Sequence, residues 1–215
     1  MLILIVVVCA LAGYLVGSIP FGYLIVRAVK GVDLRSVGSG RTGGTNAYRA
    51  AGLPAGIATA ILDTIKGVVC VLIIRALGLG DATQGWAEAM AGIGVVLGHN
   101  ASIFLNFAGG AGGATAVGTS LVYLPAAGLA ALVVGVFFLV IVGYPFMASI
   151  LAALTAAIGL TLAAVAGAVP ASYAAFGWGI VAIICYALRP NIVRFAKGQE
   201  KRVGLFAGKG VVDKV

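Results

Sequence analysis

Of the fourteen lysines and arginines in this chain, five lie between Arg27 and Arg49 and seven between Arg189 and Lys214, leaving only Lys66 and Arg75 elsewhere. Most of the sequence outside those two basic stretches is apolar. A chain with 62% hydrophobic residues, 9% charged residues and a mean hydropathy of +1.15 belongs with polytopic membrane proteins rather than soluble domains. A hydrocarbon core of about 30 Å takes about 20 apolar residues per helix. Apolar runs place helices near 2–26, 54–77, 87–107, 112–124, 125–143, 146–167 and 171–188. Segment 112–124 is short and reads as a half-helix or re-entrant piece, which needs protein cover. The expected fold is an all-α integral membrane protein of about seven transmembrane helices, one short, forming a single polytopic domain over 1–215. Five spans result if the short segments merge or fail to cross.

The basic clusters set an expected orientation. Loop 28–53 and tail 189–215 carry nearly all the lysine and arginine, so the positive-inside rule puts both in the cytoplasm. The N-terminus is then outside and the C-terminus inside, and loop 108–112 joins the other two polar stretches on the cytoplasmic face of the cell (inner) membrane. The first apolar run lacks a basic n-region and reads as a span, not a signal peptide. Nucleic acid is not an expected partner, because little solvated surface carries the charge. Cys9, Cys70 and Cys185 lie singly in apolar runs, and no His/Cys/Asp/Glu spacing suits a metal. Neither metal nor cofactor is expected. Gly13/Gly17, Ser18/Gly22 and Gly94/Gly98 have the four-residue spacing of closely packed helices.

Chemistry concentrates in Gly38–Arg49, GSGRTGGTNAYR. Glycines admit close backbone approach, and converging N–H groups form anion-binding nests. Gly38, Gly40, Gly43, Thr45 and Asn46 are candidates for such a nest; Ser39 adds a hydroxyl, and Arg41 and Arg49 add guanidinium forks suited to phosphate. The Gly38-x-Gly40-x-x-Gly43 spacing follows a membrane span, so it is not a dinucleotide fingerprint. A second run, Gly109–Thr115 (GGAGGAT), suits either a tight helix connection or a phosphate cradle at a helix N-terminus, with Gly109, Gly110, Gly112 and Thr115 as its groups. Asp63 and Lys66 share a helix face at a depth where ionisable residues mark either function or mutual pairing. His99, the only histidine, reads from the sequence as a hydrogen-bonded core residue before a catalyst. Asn191 is among the few neutral polar groups able to reach the same surface.

GSIPFGY (17–23), VDLRSVGSG with GGTNAYR (32–49), LDTIKG (62–67), GHNASIFLNF (98–107) with Gly109-Gly110, and NIVRFAKGQE (191–200) occur in order. Together they resemble the acyl-phosphate:glycerol-3-phosphate acyltransferases, the PlsY family, along nearly the whole chain. The resemblance implies a seven-helix enzyme with its site at the cytoplasmic face. Such enzymes move a fatty acyl group from acyl phosphate to the 1-hydroxyl of glycerol 3-phosphate, yielding lysophosphatidic acid and phosphate in phospholipid biosynthesis. It implies Ser39, Arg49 and Asn191 as catalytic residues, with Gly38, Gly40, Arg41, Gly43, Thr45, Asn46, Lys66, His99, Gly109, Gly110, Gly112 and Thr115 binding substrate or phosphate. The partners implied are acyl phosphate, glycerol 3-phosphate and membrane lipid; the oligomeric state is left open. The chain departs from the family pattern at five positions. Arg41 stands where asparagine is usual, Gly44 where alanine is usual, Ala111 and Gly113 alter the pattern GGKGVAT, and Leu188 replaces a histidine. These departures keep two alternatives open, a divergent paralogue with changed or lost activity and a transporter of phosphate-bearing anions.

Overall fold

The computed structural model describes residues 1–203, without the side chains of Asp81 and Ala82. The last part of the basic tail, 204–215, lies outside the described residues. Nine α-helices appear among them: α1 (Leu2–Ser18), α2 (Phe21–Lys30), α3 (Gly44–Ala51), α4 (Leu53–Arg75), α5 (Asp81–Asn100), α6 (Gly113–Tyr123), α7 (Pro125–Phe137), α8 (Pro145–Val165) and α9 (Ala171–Ala196). Six helical stretches are long and apolar enough to cross a membrane: Leu2–Lys30, Leu53–Arg75, Thr83–Leu105, Pro125–Val142, Pro145–Val165 and Ala171–Ala196. Helix α6 has 11 residues and covers about 16 Å, half a hydrocarbon core, so it is the expected short seventh segment. Its Thr115, Ala116, Val117, Gly118, Thr119 and Ser120 are all buried, which supplies the protein cover a short segment needs. Outward-facing Leu11, Ile61, Val133 and Leu162 are exposed, as lipid-facing side chains are in a membrane protein.

Small residues let the helices touch backbone to backbone. A Cβ built on Gly13 or Gly17 of α1 would stand 2.2 Å from the Ala91 carbonyl or 2.1 Å from that of Val95. One on Gly94 or Gly98 of α5 would stand 2.1 Å from the carbonyls of Ala10 or Tyr14. Both glycine pairs of the sequence are therefore packing positions. Gly67 of α4 and Gly118 of α6 bring their helices together in the same way.

Four boundaries differ from the sequence reading, one of them the run expected near 87–107, whose helix α5 spans Asp81–Asn100. The first apolar run breaks at Ile19–Pro20, because the residue before a proline is pushed out of the helical region. Residues 44–51, taken as loop, form α3, whose Asn46 and Ala47 face inward. Helix α9 runs through Pro190 to Ala196 instead of ending at 188. Proline removes only one ladder bond, the one to Tyr186, and α9 remains packed on α5 and α8.

Candidate active site

The first glycine-rich loop is held by one buried amide. Asn46 is 2% exposed. Its Nδ2 donates to the carbonyls of Leu34, Val37 and Arg41 at 3.1, 2.9 and 2.8 Å, and its Oδ1 accepts from the Ser39 N–H at 3.1 Å. Both amide hydrogens are thereby spent on loop carbonyls, and Asn46 staples the loop together. Gly38 (φ +53°) wraps over this staple, and a Cβ there would lie 2.5 Å from Asn46 Oδ1 and 3.3 Å from Arg49 Cδ. Gly40 also takes a left-handed conformation (φ +70°), and Gly43 begins α3. Thr45 lies half-buried in the first turn of α3. The outcome is an exposed Ser39 and a half-buried Arg49 whose guanidinium has no hydrogen-bond partner among the described residues. Burial pushes the Arg49 pKa down, and the Glu200 carboxylate pulls it back up.

Arg41 joins the three polar stretches. Its Nη1 donates to the Gly110 carbonyl at 3.2 Å, and its Nη2 donates to Ala187 O and, at 3.3 Å, to Asn191 Oδ1. Its neighbour Thr42 donates its N–H to Gly109 O at 3.3 Å. Gly110 and Ala187 immediately precede Ala111 and Leu188, the two positions that lack the lysine and histidine implied by the resemblance. Leu188 is buried in the apolar core and Ala111 packs against it. Burial and the nearby Arg194 push the Arg41 pKa down, with Glu200 opposing.

The second glycine loop is equally tight. A Cβ on Gly109 would meet the carbonyls of His99 and Asn100 at 2.4 Å, and one on Gly110 would meet His99 Nε2 at 2.0 Å. Gly112 (φ +87°) lies against the Asn100 amide and begins α6 without a side-chain cap. The first N–H groups of α6 are therefore offered at a helix N-terminus, where the dipole favours anions. Two neighbours are unpartnered among the described residues: the hydroxyl of fully buried Thr115, and both amide atoms of Asn100. Sequence reasoning passed over Asn100 as the residue beside the histidine.

Lys66 and His99 lie beneath these loops and pair with each other. Lys66 Nζ is 2.8 Å from Asp63 Oδ1, 3.0 Å from the Gly17 carbonyl, 3.1 Å from that of Ile19 and 3.0 Å from His99 Nδ1. An ammonium has three hydrogens, so this one is saturated. The cluster satisfies the carbonyls that the α1–α2 break exposes and braces the ring of His99 against Gly110. On α9, Asn191 Nδ2 donates to Glu200 Oε1 at 2.7 Å, and Arg194 Nε donates to Glu200 Oε2 at 2.7 Å.

The fold and this face define a class, a polytopic helical membrane protein that gathers guanidinium groups, two glycine loops and an open helix N-terminus at one end. Known proteins narrow it. The family model described as glycerol-3-phosphate acyltransferase matches residues 7–198. A glycerol-3-phosphate acyltransferase of Desulforudis audaxviator is 39% identical over 88% of this chain and 91% of that protein. One from Jannaschia sp. is 42% identical over 91% of each. Among solved structures, the crystal structure of PlsY, an integral membrane glycerol 3-phosphate acyltransferase, in its glycerol 3-phosphate form superposes with a TM-score of 0.79 at 37% identity, covering 93% of this chain and 96% of that one. Its lysophosphatidic acid form gives a TM-score of 0.77 at 35% identity, covering 93% and 95%. The chain belongs to the glycerol-3-phosphate acyltransferase family.

Proposed function

We propose that this protein moves a fatty acyl group from acyl phosphate to the 1-hydroxyl of glycerol 3-phosphate, releasing lysophosphatidic acid and inorganic phosphate. The observation that carries this reading is the bridge made by Arg41, which ties the first glycine loop to the Gly110 carbonyl just ahead of α6 and to Asn191 on α9, with the unpartnered Arg49 guanidinium on the same loop segment and Glu200 acting on both arginines. Two phosphate-bearing substrates need charge and N–H donors at one place, next to lipid that supplies the acyl chain. Ser39 offers a hydroxyl to the glycerol backbone or a phosphate, Arg49 binds phosphate, and Asn191 donates an amide N–H. Arg41 ties the first glycine loop to Gly110, Ala187 and Asn191.

The substrate hydroxyl attacks the acyl carbonyl carbon, a new C–O ester bond forms, and the C–O bond to phosphate breaks. The hydroxyl proton leaves on an oxygen of the departing phosphate. Acyl phosphate is a mixed anhydride with a good leaving group, so catalysis consists of aligning the hydroxyl and neutralising phosphate charge. No acyl-enzyme is needed. The basic residues of 28–53 and of 189–203 support a cytoplasmic placement of this face in the cell membrane, with the chain acting as one domain.

The test offers the purified protein palmitoyl phosphate and palmitoyl thioester in parallel, with radiolabelled glycerol 3-phosphate. Label should enter lipid only with the phosphate donor, and mass spectrometry should find Ser39 unmodified during turnover. Transfer from the thioester alone, or an acylated Ser39, overturns the mechanism. Label entering empty proteoliposomes without a donor would indicate a transporter.

A further inference from the structure

The orientation of the Asn191 amide is dictated by its neighbours. Arginine has donors and no acceptor, and a carboxylate has acceptors and no donor. The Asn191 atom 3.3 Å from Arg41 Nη2 must therefore be the oxygen, and the atom 2.7 Å from Glu200 Oε1 must be the nitrogen. An amide in open solvent could turn over; this one is 7% exposed and gripped at both ends. Arg41 cannot follow it, because the same guanidinium is tied to the carbonyls of Gly110 and Ala187. Asn191 Nδ2 carries two hydrogens. One goes to Glu200, and the other has no acceptor among the described residues.

We infer that Arg41 is a positioning residue that holds Asn191 with its Nδ2 turned toward an anion, so that the second amide hydrogen serves a phosphate oxygen of the substrate. This rests on the proposed acyltransferase reading and assigns Arg41 a task within it. An unheld amide would present its oxygen to the phosphate part of the time, and an oxygen facing an oxyanion repels it. Arg41 thus acts across 150 positions of sequence, from the first glycine loop to the last helix.

A double-mutant cycle tests the coupling. Steady-state kinetics with glycerol 3-phosphate varied are measured for wild type, Arg41→Met, Asn191→Ala, the double variant and Arg41→Lys. Arg41→Met should lower kcat/KM about tenfold, mostly through KM, as expected for loss of a charge-assisted hydrogen bond. Asn191→Ala should lower it more, about 100-fold. The double variant should be no worse than Asn191→Ala alone, because without the amide there is nothing for Arg41 to orient. Arg41→Lys, still a pure donor, should recover most of the loss. Single effects that multiply in the double variant overturn the inference. If Arg41→Met does not fold, the lysine variant decides: activity near wild type supports the role, and activity as low as that of Asn191→Ala overturns it. A wild type silent toward glycerol 3-phosphate would instead sink the functional reading itself.

Discussion

The molecule has two polar clusters tied to α4, and they are built on opposite rules. Near the C-terminal end of α4, the carboxylate of Glu88 accepts from Arg75 Nη2 at 2.7 Å, from Gln84 Nε2 at 2.9 Å and from the Tyr173 hydroxyl at 2.7 Å. Tyr123 donates to the Glu88 backbone carbonyl at 2.6 Å, Gln84 Oε1 accepts from Leu79 N at 2.7 Å, and Arg75 Nη1 reaches Val122 O at 3.1 Å. Glu88 is 1% exposed, and its carboxylate is ringed by donors. At the loop face the Arg49 guanidinium, the Thr115 hydroxyl and the Asn100 amide are unpartnered among the described residues. A closed network fastens helices, whereas donors left over in a half-buried setting are available to a ligand. Polarity inside a membrane therefore does not by itself mark function; several unspent donors gathered at one face point to it, whereas the unpartnered Ser172 hydroxyl at the start of α9 stands alone.

The contrast can be broken from either side. The largest effect should come from Glu88→Ala, which strands Arg75 and the Tyr173 hydroxyl while leaving Tyr123 its backbone carbonyl. Breaking a buried pair costs about 3–5 kcal/mol, read as a large fall in melting temperature in detergent, with activity per folded molecule retained. Arg49→Ala should do the reverse, lowering kcat/KM about 100-fold or more with little change in melting. Gly17→Ala, whose Cβ would press 2.1 Å from the Val95 carbonyl, should destabilise by about 1–3 kcal/mol through overpacking. Thr115→Val removes a fully buried hydroxyl that has no partner, so melting should hold or rise while KM for glycerol 3-phosphate increases a few-fold. The smallest effect belongs to Asp33, half-exposed and held down to about 2 by hydrogen bonds from Arg35. Its contribution is present above its ordinary pKa and lost as pH falls through about 2, so Asp33→Asn should lower melting only slightly at neutral pH, the pair being screened by solvent, and the difference should vanish as pH falls toward 2.

Much of this was readable before any coordinates. Apolar run lengths marked the spans and the short 112–124 segment, and glycine density located both loops. Other features depend on distant partners. The Glu88 network is not legible in the sequence, because a carboxylate on α5 finds its tyrosine on α9 only after folding. Asn46 looked like a ligand because its position in a glycine-rich loop does not say whether the amide points outward or back onto carbonyls. Lys66 and His99 stand in motif blocks, and Lys66 Nζ is engaged by His99 Nδ1 and by the carbonyls exposed where Pro20 breaks the first span. Pro190 looked like a stop, and packing carried α9 through it. Arg41 was tied to the loss at Ala111 by charge alone; its hydrogen bonds to Gly110, Ala187 and Asn191 give that link a geometry.

The measurement that bears most directly on the central claim is a balance sheet of products. Wild type and Arg49→Ala, both checked for folding, are given palmitoyl phosphate and glycerol 3-phosphate, and phosphate and lysophosphatidic acid are counted together. The account predicts equal amounts of the two products from wild type and almost none from the variant. Folded wild type that releases phosphate without lysophosphatidic acid, or an Arg49→Ala variant as active as wild type, would contradict it.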